Sequence, residues 1–442
     1  MNNNNEFDEK SQIKIEIPEI TRVEGHCAVS VNILHNKVEN VELDVFEGTR
    51  YFEQIVINHK YDELPHITSR VCAICSTGHV LACITAIENI FKIKPNSLIT
   101  DLRHLMHLGM IIESNATHIC ALALPDFLGI KDLAAYASGQ PEVFKVWTQL
   151  RNLGTLIQTV VGGRPFHPIN LHVGGFGKLP TLNEFYILKN DLENSIDTAI
   201  NLVSLLLEFK DTTSTPTPVF IALKPYDNKY GYFGSQIVSS DGYSDTVANY
   251  HKYLKEDSVV YSHAKRSTYK GKPFMVGAMA RLNLFNARLG SQSFDLYKDS
   301  PLANNQTNSI YNNFAQSIEI VEAIFQSLEI LDRLIGRANN LDNEIMINYA
   351  IKAGCDIGAV ECPRGTLYHE YDLDSNGVVL RADMITPSAQ NSYRIEMDIK
   401  ENVEALISNV SQKDIEAKLE TIVRAYDPCN TCATHMVSVK WG

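Results

Sequence analysis

Apolar and polar positions alternate near the start of the chain, then give way to a three-and-four spacing. Ile13-Lys-Ile-Glu-Ile17 and Ala28-Val-Ser-Val-Asn-Ile33 carry the alternation, which predicts a small β meander within 12–60. The helical spacing begins after Cys75. It runs through 78–93 and 99–124, with Pro95 between the two stretches. Further helical stretches fall near 142–161, 182–209, 313–338 and 401–425. The middle, about 211–312, is richer in Tyr, Ser, Gly and Asp and reads as mixed strand and loop. The expected fold is therefore mainly α with α+β additions: a central bundle of long helices with small peripheral β elements.

The same pattern predicts an organisation. Residues 1–11 read as a disordered tail and 12–65 as a β-rich part. Residues 66–210 form a helical core, 211–312 a mixed α+β excursion, and 313–442 a second helical part with the C-terminal segment. No internal repeat is present.

Composition narrows the functions. The 442 residues carry a formal net charge of −13, which disfavours nucleic acid and anionic membranes as partners. No apolar run approaches the roughly 18–20 residues of a membrane span. The polar start lacks a signal-peptide core. The nine cysteines, an odd number without a framework pattern, fit a reducing compartment, and a cytoplasmic location is expected.

Four of those cysteines form two pairs near opposite ends of the chain: Cys72-Ala-Ile-Cys75 and Cys429-Asn-Thr-Cys432. Two chelating pairs suit one four-sulfur metal site. A single Cys-x-x-Cys could equally be redox-active or half a zinc site. Zinc ribbons separate their pairs by roughly 15–20 residues, whereas here most of the chain intervenes. The remaining five, Cys27, Cys83, Cys120, Cys355 and Cys362, read as buried small hydrophobes.

The flanks are more specific. Arg70-Val-Cys72-Ala-Ile-Cys75-Ser-Thr-Gly-His79 and Asp427-Pro-Cys429-Asn-Thr-Cys432-Ala-Thr-His435 resemble the two nickel motifs of [NiFe]-hydrogenase large subunits. Thr21-Arg-Val-Glu24-Gly-His26, Gly48-Thr-Arg-Tyr-Phe-Glu53, Gly162-Gly-Arg-Pro-Phe-His167-Pro168, Glu361-Cys-Pro363-Arg364-Gly365 and Thr386-Pro-Ser388 resemble further motifs of that family, in the family's order. The resemblance spans nearly the whole chain.

It implies a nickel bound by Cys72, Cys75, Cys429 and Cys432, with Cys75 and Cys432 bridging to an iron that carries carbon monoxide and cyanide. Dihydrogen would be split heterolytically and reversibly. Cys429 would accept the first proton and Glu24 would pass it on, since burial beside a thiolate raises a carboxyl pKa. The plain alternative for Glu24 is a surface salt bridge with Arg22. Arg364 would lie over the metals as a fixed cation, or else cap a turn. Ser388 would donate to a cyanide, His79 would hydrogen-bond a bridging thiolate, and Asp427 would hold Arg364 or the last loop. A turn serine, a core histidine and a helix-end aspartate are the bland counterparts. Glu53 and His435 resemble ligands of a magnesium site. His167 reads as structural.

Two departures from the family pattern stand out. Ala73 replaces a glycine, which is tolerable unless φ is positive. Ser114 stands where membrane-bound uptake relatives have aspartate, which draws the chain toward the cytosolic, cofactor-coupled groups. The tail Met436–Gly442 is shorter than the extension the resemblance implies: either a brief peptide is removed, giving the expected mature chain ending at His435, or maturation needs no proteolysis.

The partners implied are an obligate iron–sulfur small subunit, further electron-transfer subunits and nickel-insertion maturation factors. The rival functions are a hydrogen sensor of low turnover, a degenerate structural relative of the complex-I type, and a structural zinc protein. The four thiols argue against the complex-I type, whose members lack them.

Overall fold

The computed structural model describes residues 12–130, 132–209, 215–304, 308–337, 345–407 and 410–434. The expected meander is an antiparallel three-stranded sheet, Gln12–Ile17, Cys27–Leu34 and Lys37–Val45. Ile15 pairs with Val31 and Val31 with Val41, so the apolar set of each strand falls on one buried face.

The long helices follow the three-and-four spacing. They are Ser76–Phe91, Ser97–Thr117, Pro141–Gly162 and Asn312–Gly336. Asn96 caps the second, accepting a hydrogen bond from Ile99 N, one residue after Pro95. That helix runs into a π-helical turn, His118–Ala123. It crosses Pro141–Gly162 backbone to backbone. A Cβ on Gly154 would stand 2.5 Å from Gly109 O and 2.6 Å from Glu113 N, so only glycine permits this approach.

Two expected helical stretches are broken. Residues 182–209 form a hairpin, Leu182–Glu193 and Ile196–Leu206, turning at Asn194 and Ser195. In place of one helix over 401–425 there are two, Pro387–Leu406 and Gln412–Ala425. Ser411 stops the run because its side chain caps the second helix, accepting from Asp414 N.

Strands Gly354–Cys362, Gly365–Leu373 and Val379–Ile385 add a sheet inside the core to the expected peripheral ones. Its residues do not alternate because both faces are covered. One face packs on Ser76–Phe91, so closely that a Cβ on Gly358 would stand 2.2 Å from Ala82 O. The other supports the excursion. Ile357, Ala359 and Tyr368 pack with Ile221, Leu223 and Phe274 in a second apolar cluster. The excursion holds the sheets Ile221–Lys224/Gln236–Ser239/Ser244–Thr246 and Leu254–Ser258/Lys265–Tyr269, then the helices Ala278–Phe285 and Ser291–Lys298.

A buried ion triad ties these layers. Arg281 bonds Glu319 on the central helix at 2.6 Å and Glu361 in the core sheet at 2.7 Å, all three fully buried. Such a triad tolerates no missing member, because the survivor would be an unpaired buried charge. Arg281 also donates to Cys362 O (2.9 Å) and Pro363 O (3.0 Å), which fixes the hairpin whose tip is Pro363-Arg364. Cys355 breaks the expectation for lone cysteines. It is exposed, whereas Cys27, Cys83, Cys120 and Cys362 are buried. No helix of the described residues is long and apolar enough to cross a membrane.

Candidate metal centre

The two Cys-x-x-Cys pairs meet. Cys72 is extended (φ −152°) after a short turn, Ser69–Val71, and Cys75 starts the helix Ser76–Phe91. Cys429 starts the short turn Asn430–Ala433, which carries Cys432. The Sγ atoms of Cys72 and Cys429 are 3.4 Å apart, those of Cys75 and Cys432 3.1 Å, and those of Cys429 and Cys432 2.9 Å. All four lie within 4.8 Å of one another and are buried.

The donor chemistry fits a soft cation. Hydrogen bonds from the other three thiols hold Cys72 well below the ordinary cysteine value, so it ionises first. Burial pushes Cys429 and Cys432 well above it. Without a cation the pocket resists a second thiolate, and a bound metal would displace the remaining protons.

Glu24 touches this pocket. Cys429 Sγ lies 3.0 Å from Glu24 Oε2, which also accepts from Thr431 N at 3.1 Å, while the Thr431 hydroxyl donates to Oε1. Burial, then the Cys72 sulfur, raises the carboxyl above its ordinary value against the opposing hydrogen bonds of Thr431 and Cys429. Arg22 is not its partner. Arg22 reaches Leu122 O at 2.7 Å and pairs with Asp126.

Arg364 is buried beside the cluster. Its Nε donates to Asp427 O (2.6 Å) and its Nη2 to Asp427 Oδ1 (2.9 Å), while Nη1 is buried without a protein partner. Ser388 Oγ accepts from Cys429 N at 2.8 Å, and its own hydroxyl proton can point elsewhere. His79 Nε2 stands 3.7 Å from Cys432 Sγ, and its Nδ1 meets His369 Nε2 at 3.0 Å, with Tyr371 OH beyond at 2.7 Å. His167 braces the first cysteine loop through Ser76 Oγ (3.0 Å) and Ser69 O (2.8 Å). Ala73 has no positive φ, and its methyl is accommodated on the exposed side of the loop.

Glu53 is buried apart from the thiols. It accepts from Met384 N at 2.8 Å and pairs with Lys265 at 3.2 Å, which also bonds Glu256 at 2.8 Å. The Lys265 ammonium neutralises these carboxylates here. His435 lies outside the described residues, and with it the expected magnesium pairing and the expected chain end.

Sequence reasoning missed Arg50. Its Nη2 donates to Val71 O (2.5 Å) and Thr431 O (2.7 Å), stitching the two cysteine loops together. The only signal was its place in the Gly48–Glu53 motif. It also missed His369 and Glu113. Glu113 is a carboxyl on the helix Ser97–Thr117 that burial pushes up to about 7.

A helical core with a buried four-thiol pocket that could hold a metal ion, a carboxyl on one thiol and a guanidinium beside it defines the candidate centre. The profile described as nickel-dependent hydrogenase matches residues 50–149 and 226–435, and the chain belongs to that family. It is 33% identical over 426 residues to the alpha subunit of sulfhydrogenase 1 of Pyrococcus furiosus, covering 96% of this chain and 98% of that one. It is 30% identical to the matching subunit of the F420-non-reducing hydrogenase vhu of Methanococcus voltae, covering 90% and 99%. A solved NAD+-reducing [NiFe]-hydrogenase in the H2-reduced state shares the fold, with a TM-score of 0.86 at 22% identity over 96% of this chain and 99% of that chain. The chain is thus part of an oxidoreductase that acts on dihydrogen.

Proposed function

We propose that Cys72 and Cys429 would hold nickel and that Cys75 and Cys432 would hold it together with an iron carrying carbon monoxide and cyanide. When bound, these metals supply the redox-active Lewis-acid centre at which dihydrogen is cleaved heterolytically to protons and electrons. Cys429 Sγ takes the proton and hands it to Glu24 Oε2. The 3.0 Å contact between them carries this reading, because it is the shortest heavy-atom step from a ligand sulfur to a carboxyl. Thr431 holds that carboxyl in line. Arg364 Nη1 and the Ser388 hydroxyl would donate to the diatomic ligands, and His79 would hydrogen-bond the Cys432 sulfur. Asp427 fixes Arg364. Glu53 would offer a carboxylate oxygen to a magnesium ion.

Electrons leave to an iron–sulfur small subunit, since the described residues contain no second cluster of metal-ligating side chains. Phe46, Tyr51 and Ile55 are exposed around Arg50, beside the first cysteine loop, and support docking there. Maturation factors deliver nickel, further subunits take the electrons onward, and the free thiols support a cytoplasmic site.

Glu24→Gln in the assembled enzyme tests this directly. Hydrogen exchange between dihydrogen and solvent should fall about 10²–10⁴-fold while the carbonyl and cyanide infrared bands persist. Exchange at the wild-type rate would remove Glu24 from the route.

A further inference from the structure

Arg364 projects from a hairpin tip, and among the described residues its direction is set by Asp427: the carbonyl takes Nε and Oδ1 takes Nη2. Asp427 is itself in the left-handed region (φ +52°), a conformation that neighbouring structure must enforce. The enforcement comes from two helices far away in sequence. Asp427 Oδ2 accepts from Gln316 Nε2 at 3.2 Å. Gln316 is a fully buried amide inside the helix Asn312–Gly336. Its Oε1 faces His118 Nδ1, and His118 Nε2 faces Arg424 O at 2.7 Å. Each ring nitrogen thus meets an oxygen. Arg424 O also accepts from Asp427 N at 2.8 Å, so the chain closes into a ring. The ring members are buried, and His118 opens the π-helical turn, a departure from regular helix that recurs at functional sites.

We propose that Gln316 and His118 are positioning residues for Arg364, and that their ring with Asp427 and the Arg424 carbonyl aims the guanidinium at the four-thiol pocket. The proposal rests on the hydrogenase reading of that pocket. A carboxylate with only one oxygen tied could swing, and the fork it holds would swing with it. With Oδ1 on Arg364, Oδ2 on Gln316 and the backbone N–H on Arg424 O, Asp427 has no remaining freedom.

The test uses enzyme purified anaerobically with its co-purifying subunits, as wild type, Gln316→Met, Arg364→Lys and the double variant. Gln316→Met should shift the carbonyl and cyanide bands and lower turnover about tenfold, the scale of one hydrogen bond to a charged group. In the Arg364→Lys background the same substitution should change both by less than about twofold, because its effect passes through the guanidinium. If Gln316→Met does not accumulate as folded protein, His118→Gln carries the same comparison from the other side of the ring. Equal effects in both backgrounds, or none in either, overturn the positioning role alone. A wild-type spectrum without diatomic bands overturns the hydrogenase reading and this proposal with it.

Discussion

Glu24 Oε2 lies 3.0 Å from Cys429 Sγ although 405 positions separate the two residues. A parallel bridge between the same pair, with Asn430 N donating to Glu24 O at 3.0 Å, makes the contact a property of the backbone. Thr431 then orients the carboxyl through its N–H and its hydroxyl. Thr431→Val keeps the first bond and loses the second. Turnover should fall about tenfold with metal content unchanged. Metal analysis and steady-state assay of the same preparation check this, and lost metal would show that Thr431 serves the ligand loop instead.

Arg50 bonds carbonyls on both cysteine loops. Arg50→Ala should leave the chain folded and loosen the pocket. Nickel should pass to a chelator at least about tenfold faster than from wild type, by the loss of the charge-assisted bonds to Arg70 O, Val71 O and Thr431 O. A release rate equal to wild type would confine Arg50 to the surface.

Glu113 yields a stability prediction with a definite sign. Burial raises its carboxyl from 4.5 to about 7 in the folded chain, so the folded state binds the proton more tightly than the unfolded one. Stability from this group is complete below pH 4.5, declines between 4.5 and about 7, and is gone above. Glu113→Gln removes the penalty at high pH. The variant should match wild type near pH 4.5 and exceed it by about 3 kcal/mol above pH 7.5. Denaturation midpoints across that range check the slope, and a pH-independent difference would contradict it.

Gly154 and Gly109 let two helices of the core touch. Gly154→Ala should cost about 2 kcal/mol or more, since the added methyl meets backbone atoms at 2.5 and 2.6 Å that cannot yield separately. A melting temperature within a degree of wild type would mean the crossing is looser than described.

What the sequence disclosed follows the range of the physics. The cysteine pairs show in their spacing, Glu24, Arg364 and Asp427 only through the family resemblance of the short strings that hold them, and the structure brings them together. The long helices announced themselves through the three-and-four spacing of their apolar residues, although Ser76–Phe91 and Ser97–Thr117 are buried almost all round. The core sheet gave no such signal: Ala359, Val360, Glu361 and Cys362 are all buried, so nothing alternates. Glu361 even reads as a surface residue until Arg281, 80 positions away, neutralises it. Gln316 and His118 were silent for the same reason, and Arg50 nearly so, since their partners come from other parts of the chain. The break before Ser411 was hidden because apolar spacing continues across it, and only the cap marks the new start.

Nickel and iron analysis with infrared spectroscopy, on protein purified anaerobically with its co-purifying subunits, tests the central claim most directly. The predicted result is about one nickel and one iron in this chain, held by four sulfur ligands, with sharp bands in the carbonyl and cyanide stretching region. Zinc alone and a silent spectrum, from a host able to mature such sites, would contradict the four-thiol pocket as a nickel–iron centre and void the proton route from Cys429 to Glu24.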